Sequence, residues 1–235
     1  MLAVSDEVDE RLLADLGPVR AAELVVACGD LPFEYLRYLM NGLDVPLVFV
    51  PGNHDPDLSG YRNSRAGLVL RDGLPAWAPW PDGAVNADRR IVDVAGLRVA
   101  GLGGCRRYGS GPNQYSARQL ASRARSLRRK ARWQRLHGGR AVDVLLTHAP
   151  PRGVGDGADP AHWGFTALHG VVAGLRPAIL LHGHVLPYDA ASPQQQQQQQ
   201  QLGGTAVRNV AGRHLLDIRP GGGAAQPVPG SRHAR

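Results

Sequence analysis

Five short polar signatures punctuate this chain, and each follows an apolar run or occupies a loop where a strand would end. They are Val4-Ser5-Asp6, Cys28-Gly29-Asp30, Gly52-Asn53-His54-Asp55, Thr147-His148 and His182-Gly183-His184. Apolar runs at residues 2–4, 24–27 and 47–50 each end on a signature, and helical candidates at 8–16 and 32–42 lie between them. Two later runs, 142–146 and 179–181, deliver His148 and His184. Strands alternating with helices imply an α/β protein with a mostly parallel sheet and helices packed on its faces. Side chains at the ends of such strands converge on one edge of the sheet. Asp, Asn and His brought there from distant parts of the sequence are the donors of a metal cluster.

In this order the signatures resemble the calcineurin-like metallophosphoesterase family, whose pattern is Asp-x-His, Gly-Asp, Gly-Asn-His-Asp/Glu, a lone His, and Gly-His-x-His. The resemblance covers residues 1–220 and implies a sandwich of two mixed β-sheets flanked by helices. It also implies two metal positions. Asp30, Asn53, His148 and His184 map onto the second, a complete oxygen and nitrogen set that suits a divalent ion such as manganese, iron, zinc or nickel. Asp30 bridges to the first, which Asp6 would share. By the same resemblance His54 contacts the scissile phosphate and assists the leaving oxygen, with Asp55 orienting it. Arg107, after Gly103-Gly104 and beside Arg106, is the candidate grip on a phosphate oxygen.

Two positions depart from the pattern. Val8 and Leu186 stand where the family has the histidines of Asp-x-His and Gly-His-x-His, so only Asp6 and Asp30 remain for the first ion. Neither neighbour is a natural replacement. Glu7 follows Asp6 directly and should face the other way along a strand, and His182 sits deeper in the sheet than His184. Two ions clamp a phosphoryl group and stabilise both attacking and leaving oxygens; one ion retains only part of that effect. The expected activity is therefore metal-dependent hydrolysis of a phosphomonoester or phosphodiester, reduced by an incomplete first site. The alternative is a non-catalytic relative that serves as a binding or scaffold protein.

Charge and composition bound the partners. The net charge is +7, but residues 118–140 hold nine basic residues and no acidic one, so taking nine from +7 leaves −2 for the remainder. Leu120, Ala124, Leu127 and Ala131 in that segment recur at helical spacing, with Ser116 as N-cap and Gly138-Gly139 as stop. The segment reads as an amphipathic helix with a solvated arginine face. A small phosphorylated substrate is the expected partner, nucleic acid the weaker expectation, and a membrane is not expected, since no apolar stretch approaches the length of a bilayer span. The first residues carry Asp6, Glu7 and Asp9 in place of a basic segment followed by an apolar one. With only Cys28 and Cys105, there is no disulfide framework, and a cytoplasmic address is expected.

One domain over residues 1–220 is expected, with residues 194–201, eight glutamines, as a flexible loop insertion and residues 221–235 as a disordered tail. Two hairpins complete the reading, one turning at Ala95-Gly96 and one at Ala211-Gly212.

Overall fold

The apolar runs that end on signatures are strands, short because each spans only the sheet's buried middle. A computed structural model describes residues 1–63, 68–186, 200–221 and 226–227. The chain runs β1 (Leu2–Ser5), α1 (Glu10–Ala14), β2 (Val25–Ala27), α2 (Phe33–Leu43) and β3 (Leu47–Phe49). A small antiparallel meander follows, β4 (Tyr61–Asn63), β5 (Val69–Arg71) and β6 (Leu74–Pro75), then β7 (Val85–Asn86). The second half holds β8 (Ile91–Val94), β9 (Leu97–Leu102), β10 (Cys105–Arg106), β11 (Gln114–Tyr115), α3 (Ala117–Leu136), β12 (Val144–Thr147), α4 (Thr166–Leu175) and β13 (Ile179–His182). It closes with β14 (Gln200–Leu202), β15 (Thr205–Asn209), β16 (Gly212–Asp217) and β17 (Gln226–Pro227).

Two six-stranded sheets result, in the orders β17-β16-β1-β2-β3-β7 and β14-β15-β13-β12-β9-β8. Their centres are parallel: β1, β2, β3 and β7 in one, β9, β12, β13 and β15 in the other. Period-two alternation assigns each strand residue to a layer. Ala3, Val26 and Val48 meet Val99, Val144, Leu146, Ile179 and Leu181 between the sheets. On the outer face of the first sheet, Leu2, Val4, Val25, Leu47 and Phe49 pack with α1 and α2 through Leu12, Leu36 and Leu39. On the outer face of the second, Leu145 and Leu180 pack with α3 and α4 through Leu120, Leu127, Leu168 and Val171. The architecture is the expected one, two mixed sheets flanked by helices.

Local chemistry sets the helix limits. Ser116 caps α3 in a reciprocal box with Gln119, at 3.2 and 2.9 Å, an arrangement worth about 1 kcal/mol at its Ser alone. Its buried stripe is Leu120, Ala124, Leu127 and Ala131, as the spacing predicts. The first helix is shorter than the 8–16 expected from pattern. Asp9 caps it by accepting from Arg11 N–H at 2.9 Å, and Asp15 turns back to accept from Gly17 N–H at 2.7 Å, so the chain leaves α1 for a 3-10 turn at Gly17–Val19.

The Ala95-Gly96 hairpin forms between β8 and β9. The one expected at Ala211-Gly212 does not. β15 lies parallel to β13 in one sheet, whereas β16 lies antiparallel to β1 in the other, so this turn carries the chain between layers. Gln200 and Gln201, expected to belong to a flexible loop, form β14 against β15; residues 194–199 lie outside the described residues. Gln226 and Pro227, in the expected tail, pair with Asp217 and Leu216.

Candidate metal centre

The five signatures meet at the C-terminal ends of β1, β2, β3, β12 and β13. His148 continues the alternation of Val144 and Leu146, which face the other sheet, so its ring enters the gap between the sheets and is fully buried. There Nδ1 lies 2.7 Å from the Cys28 carbonyl. A carbonyl only accepts, so Nδ1 carries the proton and Nε2 is directed into the site. Nε2 faces Asn53 Oδ1 at 2.9 Å and Asp30 Oδ2 at 3.3 Å. His184 Nε2 donates to the Ala161 carbonyl at 3.0 Å, which leaves Nδ1 as its lone-pair nitrogen. Ligand atoms of Asp30, His148 and His184 lie within 4.8 Å of one another. Asn53 Nδ2 donates to the Tyr108 hydroxyl at 2.9 Å, which fixes Oδ1 toward the histidine.

This is a set of acceptors facing acceptors. Such a cluster is stable only around a positive charge, and two carbonyl-type or carboxylate oxygens with two imidazole nitrogens suit a divalent ion. The residues present therefore fit the expected second metal position. The electrostatics agree. Burial opposes ionisation of Asp30, but His148 and the His54 N–H, 2.8 Å from Oδ1, hold its carboxyl below the usual range. Burial also opposes the charged His148 ring, yet Asp30 and Asp6 raise it to about 9. His184 is pushed down to about 3 by burial and by His148.

The backbone is unusual where the donors sit. Asp6, Asp30 and His184 all adopt positive φ, at 64°, 58° and 66°. Strain of about 1–3 kcal/mol at each such residue is a feature of functional sites. Glycine makes the close approach possible. A Cβ on Gly52 would overlap the Asp30 carboxylate and the His148 ring, and one on Gly183 would overlap Asp6 and Ser5.

The remaining predicted residues lie around this cluster. Asp6 lies outside the three-residue cluster; both of its oxygens accept the His184 N–H at 3.0 Å, so it holds the turn that presents His184. Burial raises its pKa. The resemblance has Asp55 orient His54, but its carboxylate is buried while His54 is exposed, and Oδ2 accepts from Gly52 N–H at 2.7 Å and Asp30 N–H at 3.0 Å. It braces the metal loop from beneath. Arg107 is tied to Gln119 Oε1 at 3.1 Å and Gln114 O at 3.4 Å, in a wall beside Arg106. Val8 is 38% exposed. His182 is buried on the helix-facing side of β13 that Leu180 marks, and burial pushes it down to about 4.

Three groups gain importance from the fold. Asn113 Nδ2 donates to Gly52 O at 2.8 Å and Asp55 O at 3.1 Å, clamping the loop that carries Asn53 and His54. Tyr108 orients Asn53. His162, paired with Asp159 at 2.6 Å, sets its ring 5.2 Å from that of His184. The sequence signal for all three is only their position in loops after strands.

A two-sheet α/β sandwich with a nitrogen- and oxygen-donor cluster at its strand ends has the donors of a metal centre. The calcineurin-like phosphoesterase profile matches residues 9–188, and the chain belongs to that family, whose members are metal-dependent phosphoesterases. Among solved structures, one chain superimposes with a TM-score of 0.58 at 16% identity, covering 96% of this chain and 97% of that one. The protein TT1561 of Thermus thermophilus superimposes with a TM-score of 0.54 at 16% identity, covering 90% of this chain and 88% of its own. At such identity these similarities show the fold. No curated protein matches the sequence. Among the described residues, no helix is long and apolar enough to cross a membrane.

Proposed function

We propose that this protein is a phosphoesterase working around one well-formed divalent metal site, held by Asp30, Asn53, His148 and His184, on a small phosphorylated substrate. The observation that carries this reading is the cluster in which Asp30, Asn53 Oδ1 and the two histidine nitrogens converge, an arrangement that a positive charge at its centre would hold together. A bound ion would supply Lewis acidity and positive charge to the phosphoryl group. The chain's own residues do the rest. Asp55 and Asn113 hold the Gly52-Asn53-His54 loop in shape, and Asp30 accepts the His54 N–H. The exposed His54 ring, near enough to Asp30 to favour the charged form of that carboxyl, is our candidate to protonate a leaving oxygen. Manganese is the first ion to test, and a reducing, cytoplasmic setting is consistent with both cysteines being free and buried.

A second reading has its own observation. With Val8 exposed and Leu186 apolar, the first position lacks both imidazoles, which favours a binding module that keeps one ion. One experiment separates the two. Protein purified without chelator should carry one ion per chain, and a panel of phosphomonoesters and phosphodiesters with added manganese should reveal turnover that His148→Ala and Asp30→Ala abolish. One ion with no turnover of any ester would select the binding module; two ions would mean that other residues complete the first position.

A further inference from the structure

A cleft of about 500 Å³ opens beside the metal loop, bordered there by Pro51 and by Asn113, between the β7–β8 turn and α3. None of Asp30, Asn53, His148 or His184 lines it. Its charged lining is four cations, Arg89, Arg90, Arg123 and Lys130, against one carboxylate, Asp88. That carboxylate is already spent. Arg123 Nη2 lies 2.7 Å from both Asp88 oxygens, Oδ1 also accepts the Gly103 N–H at 2.8 Å, and the Arg123 guanidinium sits 4.0 Å over the Tyr115 ring. Arg123 is thereby a fixed wall.

The other three cations have no carboxylate partner among the described residues. Arg90 Nη1 donates to the Asn86 carbonyl at 3.0 Å, and Lys130 Nζ donates to the Arg89 carbonyl at 2.9 Å. Carbonyls orient these groups without neutralising them. Burial, Arg89 and Arg90 hold the Lys130 ammonium below its usual range against a smaller opposite pull from Asp88, as expected where like charges outnumber unlike ones. Arg89 has a left-handed backbone with φ of 56°, a conformation that costs a non-glycine residue free energy. Three cations on a concave polar cleft, supplied by two elements, offer a site for an anion. Guanidinium forks match phosphate oxygens two at a time, the ammonium acts as a point charge, and the volume suits a small molecule.

We infer that this cleft binds an oligophosphate, either free or as the tail of a nucleotide, at a site separate from the metal centre. Lys130 is the only lysine in the chain, so a neutral amine-acetylating ester has two targets, Lys130 and the Met1 amino group, which mass spectrometry resolves. In the full-length protein with chelator present, tripolyphosphate should slow Lys130 acetylation at least about fivefold, where sodium chloride of equal ionic strength changes it less than about twofold. Met1 acetylation should not change. Arg89→Gly, which relieves the left-handed backbone, and Arg90→Gln should each abolish the protection, whereas His148→Ala should retain it. A nucleoside triphosphate protecting at lower concentration than tripolyphosphate identifies the nucleotide as the source; equal potency identifies the free oligophosphate. Protection no greater than that given by salt, protection that survives both arginine variants, or protection lost in a folded His148→Ala protein would each overturn the inference.

Discussion

The His148 ring ties metal affinity to pH in a calculable way. In the metal-free protein its Nε2 faces two oxygens, so a proton takes the ion's place, and the ring is raised from 6.5 to about 9 despite burial. That elevation is worth about 3 kcal/mol at about 1.4 kcal/mol per pH unit. A raised folded-state pKa adds stability that is fully present below 6.5 and lost as pH climbs through about 9. An incoming ion must displace this proton. Its affinity should therefore rise about tenfold per pH unit over about pH 7–8.5, with close to one proton released per ion. His184, held down to about 3, supplies no proton in this window. Titration calorimetry with manganese in two buffers of different protonation enthalpy counts the protons, and NMR of the chelated protein follows the ring directly. Asp30→Asn removes the charge that opposes burial, so the ring should then titrate below 6.5. Affinity independent of pH across that range, or a wild-type ring that titrates below 6.5, would refute the argument.

Gly183→Ala should lower stability by about 1–3 kcal/mol, since its Cβ overlaps Asp6 and Ser5, and lower the melting temperature by about 2–4 °C for each of those kcal/mol. Gly204→Ala, with nothing within 4 Å of the added carbon, is the matched control and should melt as wild type. Val8→His combined with Leu186→His should bind a second ion and hydrolyse a generic phosphodiester at least about tenfold faster, a gain of about 1.4 kcal/mol in transition-state stabilisation. A second ion without faster turnover would show that the first position does not limit activity. DNA binding through the exposed Arg125, Arg128 and Arg129 of α3 should be weak and vanish near physiological salt. Retention measured by filter binding at that salt, and lost when those three are replaced, would contradict a merely solvated face.

What the sequence made legible was local. Each strand that ends on a signature is three or four residues, mostly apolar, closed by a glycine or polar group, so existence, order and polarity could be read directly. Partner choice is not local. Thr205–Asn209 and Gly212–Asp217 look like two arms of a hairpin, yet β15 gains more by lying beside β13 and β16 by covering the exposed edge of β1. Those contacts depend on chain far away in sequence. The shortness of β1 raises the same issue from the other direction. Four residues suffice because both edges are paired, with β2 on one side and β16 on the other.

The donor set divides along the same line. Asn53, His148 and His184 come together because each follows its strand's alternation or its turn, which sequence records. Asp55 and Asp6 are assigned by backbone geometry that sequence does not record. A positive φ at Asp6 turns its carboxylate onto the His184 amide, and the tight loop after Gly52 turns Asp55 inward, away from the exposed His54. Strand parity also explains why His182 does not rescue the first position. Ile179 and Leu181 face the other sheet, so His182 faces α3 and α4 with Leu180, and Gly155 is packed against its ring. Bringing that ring to the metal side would need a one-residue slip of β13, which would also exchange Leu181 and Leu180 between two cores. The missing imidazoles can therefore come only from outside the strand: from positions 8 and 186, or from a loop that reaches over the site as His162 does.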